Sequence, residues 1–224
     1  HLISLINLNL GKNELKECNK NMINSFMLKQ LVISENLLDT INSDCFSNTS
    51  LSIIKLNKNI LKNVEINLET LKDVNFVYNN LKEINDFTFS KCKNLEILNL
   101  NNNRIQIISI NAFKSLINLK FLFLENYKLK QLEPDIFKAN SNLGHVVLNS
   151  NRILKIKPYA FNGIGSIIYS SNLELNNNNL YIVKSYYFTN LTNLIHLSLE
   201  SNTISIIEEL AFSSLHSLQT LNLE

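Results

Sequence analysis

The sequence predicts an α/β-type solenoid of about ten repeats. A parallel β-sheet should line the concave side, and mostly irregular or 3₁₀ backbone the convex side. Three observations carry this. Residues 95–118, LEILNLNNNRIQIISINAFKSLIN, place apolar side chains at Leu95, Leu98, Leu100, Ile105, Ile108, Phe113 and Leu116, and the spacing recurs with a period near 24. Counting Leu95 as position one, position nine is asparagine in eight of nine whole repeats. Position nineteen is phenylalanine in seven of those nine.

Each part of the unit has a physical reason. Leu98 and Leu100 are two apart, so in a strand both point to one face while Ile97, Asn99 and Asn101 point to the other. One such strand cannot bury its leucines alone; stacked copies cover one another and merge their inward residues into a core. The predicted strands occupy positions three to seven, for example 97–101 and 121–125. Asparagine at position nine stands where the chain turns out of the strand, and its amide can satisfy backbone groups the turn leaves unpaired. This predicts a ladder of Asn13, Asn36, Asn59, Asn79, Asn103, Asn151, Asn178 and Asn202. Phe113 and Leu116 then fill the convex side before the next repeat begins.

Taken in order, the repeats run 5–27, 28–50, 51–70, 71–94, 95–118, 119–142, 143–169, 170–193 and 194–217, with a partial tenth at 218–224. The third has only 20 residues, and Leu68 stands in for its phenylalanine. The sixth carries Tyr127 in place of the ladder asparagine, a change expected to distort its loop, and Asn140 at an inward position. The seventh holds three extra residues around Gly163 and Gly165, read as a bend. Leu2 fits position twenty-two of a preceding repeat, so both ends look cut mid-repeat and the whole is expected to be one domain of a longer chain. Uncovered leucine rows at such ends would favour homo-association. Of the cysteines, Cys18, Cys45 and Cys92 are neither clustered nor even in number, which suggests small buried hydrophobes and no disulfide framework.

The unit is the leucine-rich repeat signature in its 24-residue form, so the fold class is a leucine-rich repeat horseshoe. Blocks such as INAFKSLINLKFLFL, PYAFNGI and ELAFSSLHSLQTLNLE make the chain resemble the animal extracellular, typical-class leucine-rich repeat proteins, similar to Toll-type receptor and chaoptin-like ectodomains. The resemblance implies a curved receptor or adhesion ectodomain that binds a protein ligand or co-receptor. It also implies a place on the extracellular face of the plasma membrane or in secretion, with any membrane attachment through segments outside this sequence. The alternative is an intracellular leucine-rich repeat adaptor. Asn48 and Asn190 head acceptor sequons for N-glycosylation, both at position twenty-one.

No catalytic set, metal or cofactor is expected. His196, Ser198 and Glu174 could share a face, but residues i and i+2 of a strand lie about 6.5 Å apart, too far for a nucleophile and its base. His145 and His196 stand two repeats apart, beyond shared metal ligation. Outward charges read as basic in repeats one to four (Lys12, Lys29, Lys55, Lys58, Lys72 against Glu35 and Asp73) and acidic from repeat five (Glu96, Glu125, Glu174, Glu200, Glu224 against Lys120). A face split by sign suits a protein partner and disfavours nucleic acid, which needs one continuous basic track. The candidate ligand site is an apolar group on outward positions: Val77, Tyr78, Ile97, Phe121, Phe123, His145 and Val147. Two readings of it stay open here, an exposed contact surface or a register shift that turns one phenylalanine inward.

Overall fold

The structure is a computed structural model that describes residues 4–20, 22–46, 48–164 and 171–224. Leu2, Gly165 and Ser170 lie outside the described residues. One ten-stranded parallel sheet runs the length of the molecule. Its strands, one per repeat, are β1 Asn7–Asn9, β2 Gln30–Val32, β3 Ile53–Lys55, β4 Asp73–Asn75, β5 Ile97–Asn99, β6 Phe121–Phe123, β7 His145–Val147, β8 Asn172–Glu174, β9 His196–Ser198 and β10 Thr220–Asn222. Neighbours in sequence are neighbours in the sheet, and like positions pair: Asp73 with Ile97, Ile97 with Phe121, Phe121 with His145. The centre of every strand from β2 to β9 is a buried aliphatic residue, as period-two patterning requires.

The strands are shorter than predicted, covering positions three to five. The reason lies at positions seven and eight. Hydrogen bonding between repeats continues past the strand, with Leu100 N donating to Phe123 O and Asn102 N to Glu125 O. At position seven, however, an asparagine side chain takes the place of the neighbouring carbonyl: Glu125 N donates to Asn101 Oδ1, Asn176 N to Asn149 Oδ1 and Glu200 N to Asn176 Oδ1. Position eight then enters the left-handed region in all nine whole repeats, from Lys12 (φ 57°) through Tyr78 and Asn102 to Ser201 (φ 54°). That turn ends the pleat.

From Asn36 onward the position-nine asparagines bridge neighbouring repeats. Asn103 is typical: its Nδ2 donates to Phe76 O of the preceding repeat (2.9 Å) and to Leu100 O of its own (2.6 Å), while its Oδ1 accepts from Leu81 N (3.1 Å). Asn36, Asn59, Asn79, Asn151, Asn178 and Asn202 repeat this pattern. Asn13 is exposed and bonds carbonyls of its own turn, Leu10 and Gly11. Tyr127 does not distort its loop. Its buried hydroxyl donates to Leu100 O, and Asn126 before it holds φ 61° like its counterparts. The phenol thus reaches a carbonyl of the kind the amide would have bonded.

Convex packing is a spine of phenylalanines. Phe113 stacks on Phe137 at 5.9 Å, Phe161 on Phe188 at 6.0 Å and Phe188 on Phe212 at 6.0 Å, which is why position nineteen tolerates little else. The return path is more regular than expected. Four two-stranded parallel pairs form there: 40–41 with 63–64, 83–84 with 107–108, 131–132 with 155–156, and 182–183 with 206–207. A single 3₁₀ helix, Ser43–Phe46, and no α-helix occurs among the described residues. No helix among them is long and apolar enough to cross a membrane.

Cysteine behaviour departs from the expectation. Cys18 and Cys45 form a disulfide, with Cα atoms 5.5 Å apart. Cys18 sits at position fourteen of the first repeat and Cys45 at position eighteen of the second. Spacing along the chain hides their closeness, because stacking subtracts one whole repeat from a separation of 27 residues. Cys92 is free and buried as expected, its Sγ donating to Ile66 O at 3.0 Å, and burial pushes its thiol up to about 11.

Candidate functional site on the concave sheet

Strands β5, β6 and β7 carry the candidate patch. Leu122 is fully buried, so Phe121 and Phe123 both stand on the concave face and the register-shift alternative fails. Pairing sets Ile97 beside Phe121, His145 on its other side, and Val147 beside Phe123. The His145 ring lies 6.0 Å from Phe121 and 5.6 Å from Phe123, tilted against both. Phe121 keeps 41% of its surface exposed on the sheet face.

Two parts of the predicted patch fall elsewhere. Val147 is 4% exposed: it supports the patch from beneath its neighbours and offers no contact area of its own. Val77 and Tyr78 sit at positions seven and eight, where Tyr78 N donates to Asn101 O, so the row through Asn101 and Glu125 separates them from Phe123. Tyr78 is exposed on the turn and belongs to the rim. The contact group that the fold assembles is therefore Ile97, Phe121, Phe123 and His145.

The electrostatics also differ from a face split by sign. Most of the lysines predicted to make one half basic are paired within the sheet: Lys55 with Asp73 at 2.8 Å, Lys58 with Glu35 at 3.6 Å, and Lys72 with Glu96 at 3.7 Å. Lys120 reaches Glu96 at 2.7 Å, and this ammonium holds the Glu96 carboxyl below its usual range. In the other half the acids meet amides. Glu125 is held by Asn101 and Asn149, Glu174 by Asn149 (2.7 Å) and Asn172 (2.8 Å), and Glu200 by Asn222 (3.4 Å). Among the described residues no lysine or arginine lies within 4.0 Å of these three carboxylates; the His145 imidazole stands 4.0 Å from Glu174. Sequence reading saw the acids but missed the amide row that orients them. Its signal was the mix of Asn and Glu at position seven, Asn101, Glu125, Asn149, Asn176 and Glu200.

Glu174 and Ser198 pair across β8 and β9, but Glu174 spends its hydrogen bonds on Asn149 and Asn172, so no relay joins it to His196. No group of three metal-binding side chains occurs among the described residues. Asn48 and Asn190 are both exposed, with φ of 58° and 68°. Distinct clefts lie away from the patch, for instance one on the return side lined by Gln106, Ile107, Leu129, Leu132 and Ile136 where two strand pairs break apart. The patch itself is open sheet, a shape that suits a macromolecular surface better than a small molecule.

The leucine-rich repeat profile matches residues 69–129 and 171–224, which together are more than half the chain, and a BspA-type leucine-rich repeat region matches residues 1–65. The chain belongs to the leucine-rich repeat family. A search of curated proteins found no sequence match. Among solved structures, the leucine-rich repeat chain is similar to TLR13 in complex with an ssRNA, at 26% identity and TM-score 0.77, over 88% of this chain and 28% of that one. It is also similar to the Drosophila Toll–Spatzle complex, at 22% identity and TM-score 0.75, over 99% and 33%. A third likeness is to an octameric complex of latrophilin 3, Unc5D and FLRT2, at 18% identity and TM-score 0.70, over 97% and 74%. The chain thus spans about a third of the length of the first two. Fold and neighbours make it a leucine-rich repeat domain resembling Toll-type ectodomains.

Proposed function

We propose that the domain is part of a cell-surface receptor or adhesion ectodomain and binds a protein ligand on its concave face, with Phe121 and Phe123 at the centre of the site. The observation that carries this is Phe121, an aromatic side chain left 41% exposed in the middle of the sheet, with Ile97, Phe123 and His145 packed around it. Grouped aromatics exposed in this way mark contact surfaces, and such anchors dominate interface energetics. The Cys18–Cys45 disulfide favours an oxidising compartment over an intracellular adaptor. Exposed Asn48 and Asn190 leave room for glycans away from the sheet. One neighbour is a complex with ssRNA, so likeness alone does not separate protein from nucleic acid as a partner. The carboxylate row along half the face favours protein, since phosphates would be repelled there.

The test is a screen of the domain against arrayed secreted and cell-surface proteins, repeated with Phe121→Ser/Phe123→Ser. Loss of a captured partner by about 2 kcal/mol or more, with an unchanged circular dichroism spectrum, is the expected result. Undiminished binding by the double variant would move the site off the concave sheet.

A further inference from the structure

The surroundings of the patch specify what kind of chain it takes. This inference rests on the reading of Phe121 and Phe123 as the contact centre and adds the chemistry of the partner. Strand β6 is polar in a directional sense: it enters from Lys120, already engaged by Glu96, and leaves toward Glu125, which no lysine or arginine engages among the described residues. Across the sheet, Phe123 pairs with Val147 and Val147 with Glu174, and Glu200 follows two residues after Ser198, the partner of Glu174. The aromatic group is therefore bordered on two sides, past the strand ends and toward β9, by Glu125, Glu174 and Glu200. Amide donors from Asn101, Asn149, Asn172 and Asn222 hold these carboxylates in place, so their charge is oriented but not neutralised. On the opposite side, ion pairs within the sheet already satisfy Lys55, Lys58 and Lys72.

We propose that the concave face binds an extended, basic polypeptide segment: an aromatic or branched aliphatic side chain seated on Phe121 and Phe123, with lysine or arginine two to four residues away over Glu125 and Glu174, and a further basic residue beyond it toward Glu200. The spacing comes from the sheet. Glu174 lies two strands from Phe123, about 10 Å at ordinary strand separation, and an extended chain covers that distance in about three residues. Each carboxylate still has room for an added cation, and opposite charge at the rim of an apolar centre sets both partner choice and register. An acidic segment of equal hydrophobicity would meet repulsion from all three.

The test uses a random 16-residue peptide library displayed on yeast and selected on the 224-residue domain. Enriched peptides should pair an apolar residue with lysine or arginine two to four positions away. Glu125→Gln/Glu174→Gln/Glu200→Gln should weaken the winning synthetic peptide about tenfold, and raising the salt should weaken binding to the native domain but leave the triple variant little changed. Phe121→Ser/Phe123→Ser should abolish it. Peptides without basic bias that still depend on the phenylalanines would overturn the charge inference and leave the contact centre standing. Peptides indifferent to the phenylalanines would overturn the contact centre itself, and a library with no enriched binder would overturn the basic-segment proposal.

Discussion

Replacing Asn103 with alanine removes one rung of the position-nine ladder at the middle of the stack. The side chain is 8% exposed and serves three backbone groups of two repeats. Of these, Leu100 O keeps a second donor in the Tyr127 hydroxyl. Phe76 O likewise keeps the Asn79 amide, so Leu81 N–H is the group that loses its partner. A buried backbone group left without a partner costs about 1–3 kcal/mol. For a chain of this size 1 kcal/mol moves the melting temperature by about 2–4 °C, so the shift should be about 2–12 °C, read by circular dichroism or calorimetry. Asn13→Ala is the internal control, because Asn13 is exposed and bonds only carbonyls of its own turn. Equal shifts for the two variants, or none for Asn103→Ala, would refute the view that the amide bridges repeats.

Other outcomes follow from the same contacts. Breaking the disulfide with Cys18→Ser/Cys45→Ser releases a loop of 27 residues and should destabilise the first two repeats by about 3–4 kcal/mol, seen as faster amide exchange there than in repeats six to nine. Asn140→Leu should stabilise by about 1 kcal/mol in a melting experiment. Its buried Oδ1 meets no partner among the described residues, and Leu116, Leu191 and Leu215 fill the same position in other repeats. Cys92 should resist iodoacetamide at pH 8 in the native domain and react at once in denaturant. Because burial raises its pKa from 9.0 to about 11, its contribution is complete below pH 9 and is lost as pH rises toward 11, lowering stability by about 2–3 kcal/mol.

The repeat pattern by itself determined most of the architecture, because a unit that cannot bury its own leucines has one way to do so, and Leu98, Asn103 and Phe113 each occupy the place their spacing assigned. It left Phe121 and Phe123 open to a register shift, and the burial of Leu122 is what sets both on the outer face. What depends on contact between repeats was hidden. Cys18 and Cys45 look unrelated until stacking cancels a repeat length, and Lys55, Lys58 and Lys72 look free until Asp73, Glu35 and Glu96 arrive from neighbouring repeats. Val147 looks as exposed as Phe121 from its position, yet it is 4% exposed in the stack. Tyr127 looks like a fault in the ladder until its hydroxyl meets the Leu100 carbonyl. Periodicity states which way a side chain points; what it meets there is decided by the adjacent turn of the solenoid, some 24 residues away in sequence and one strand spacing away in space.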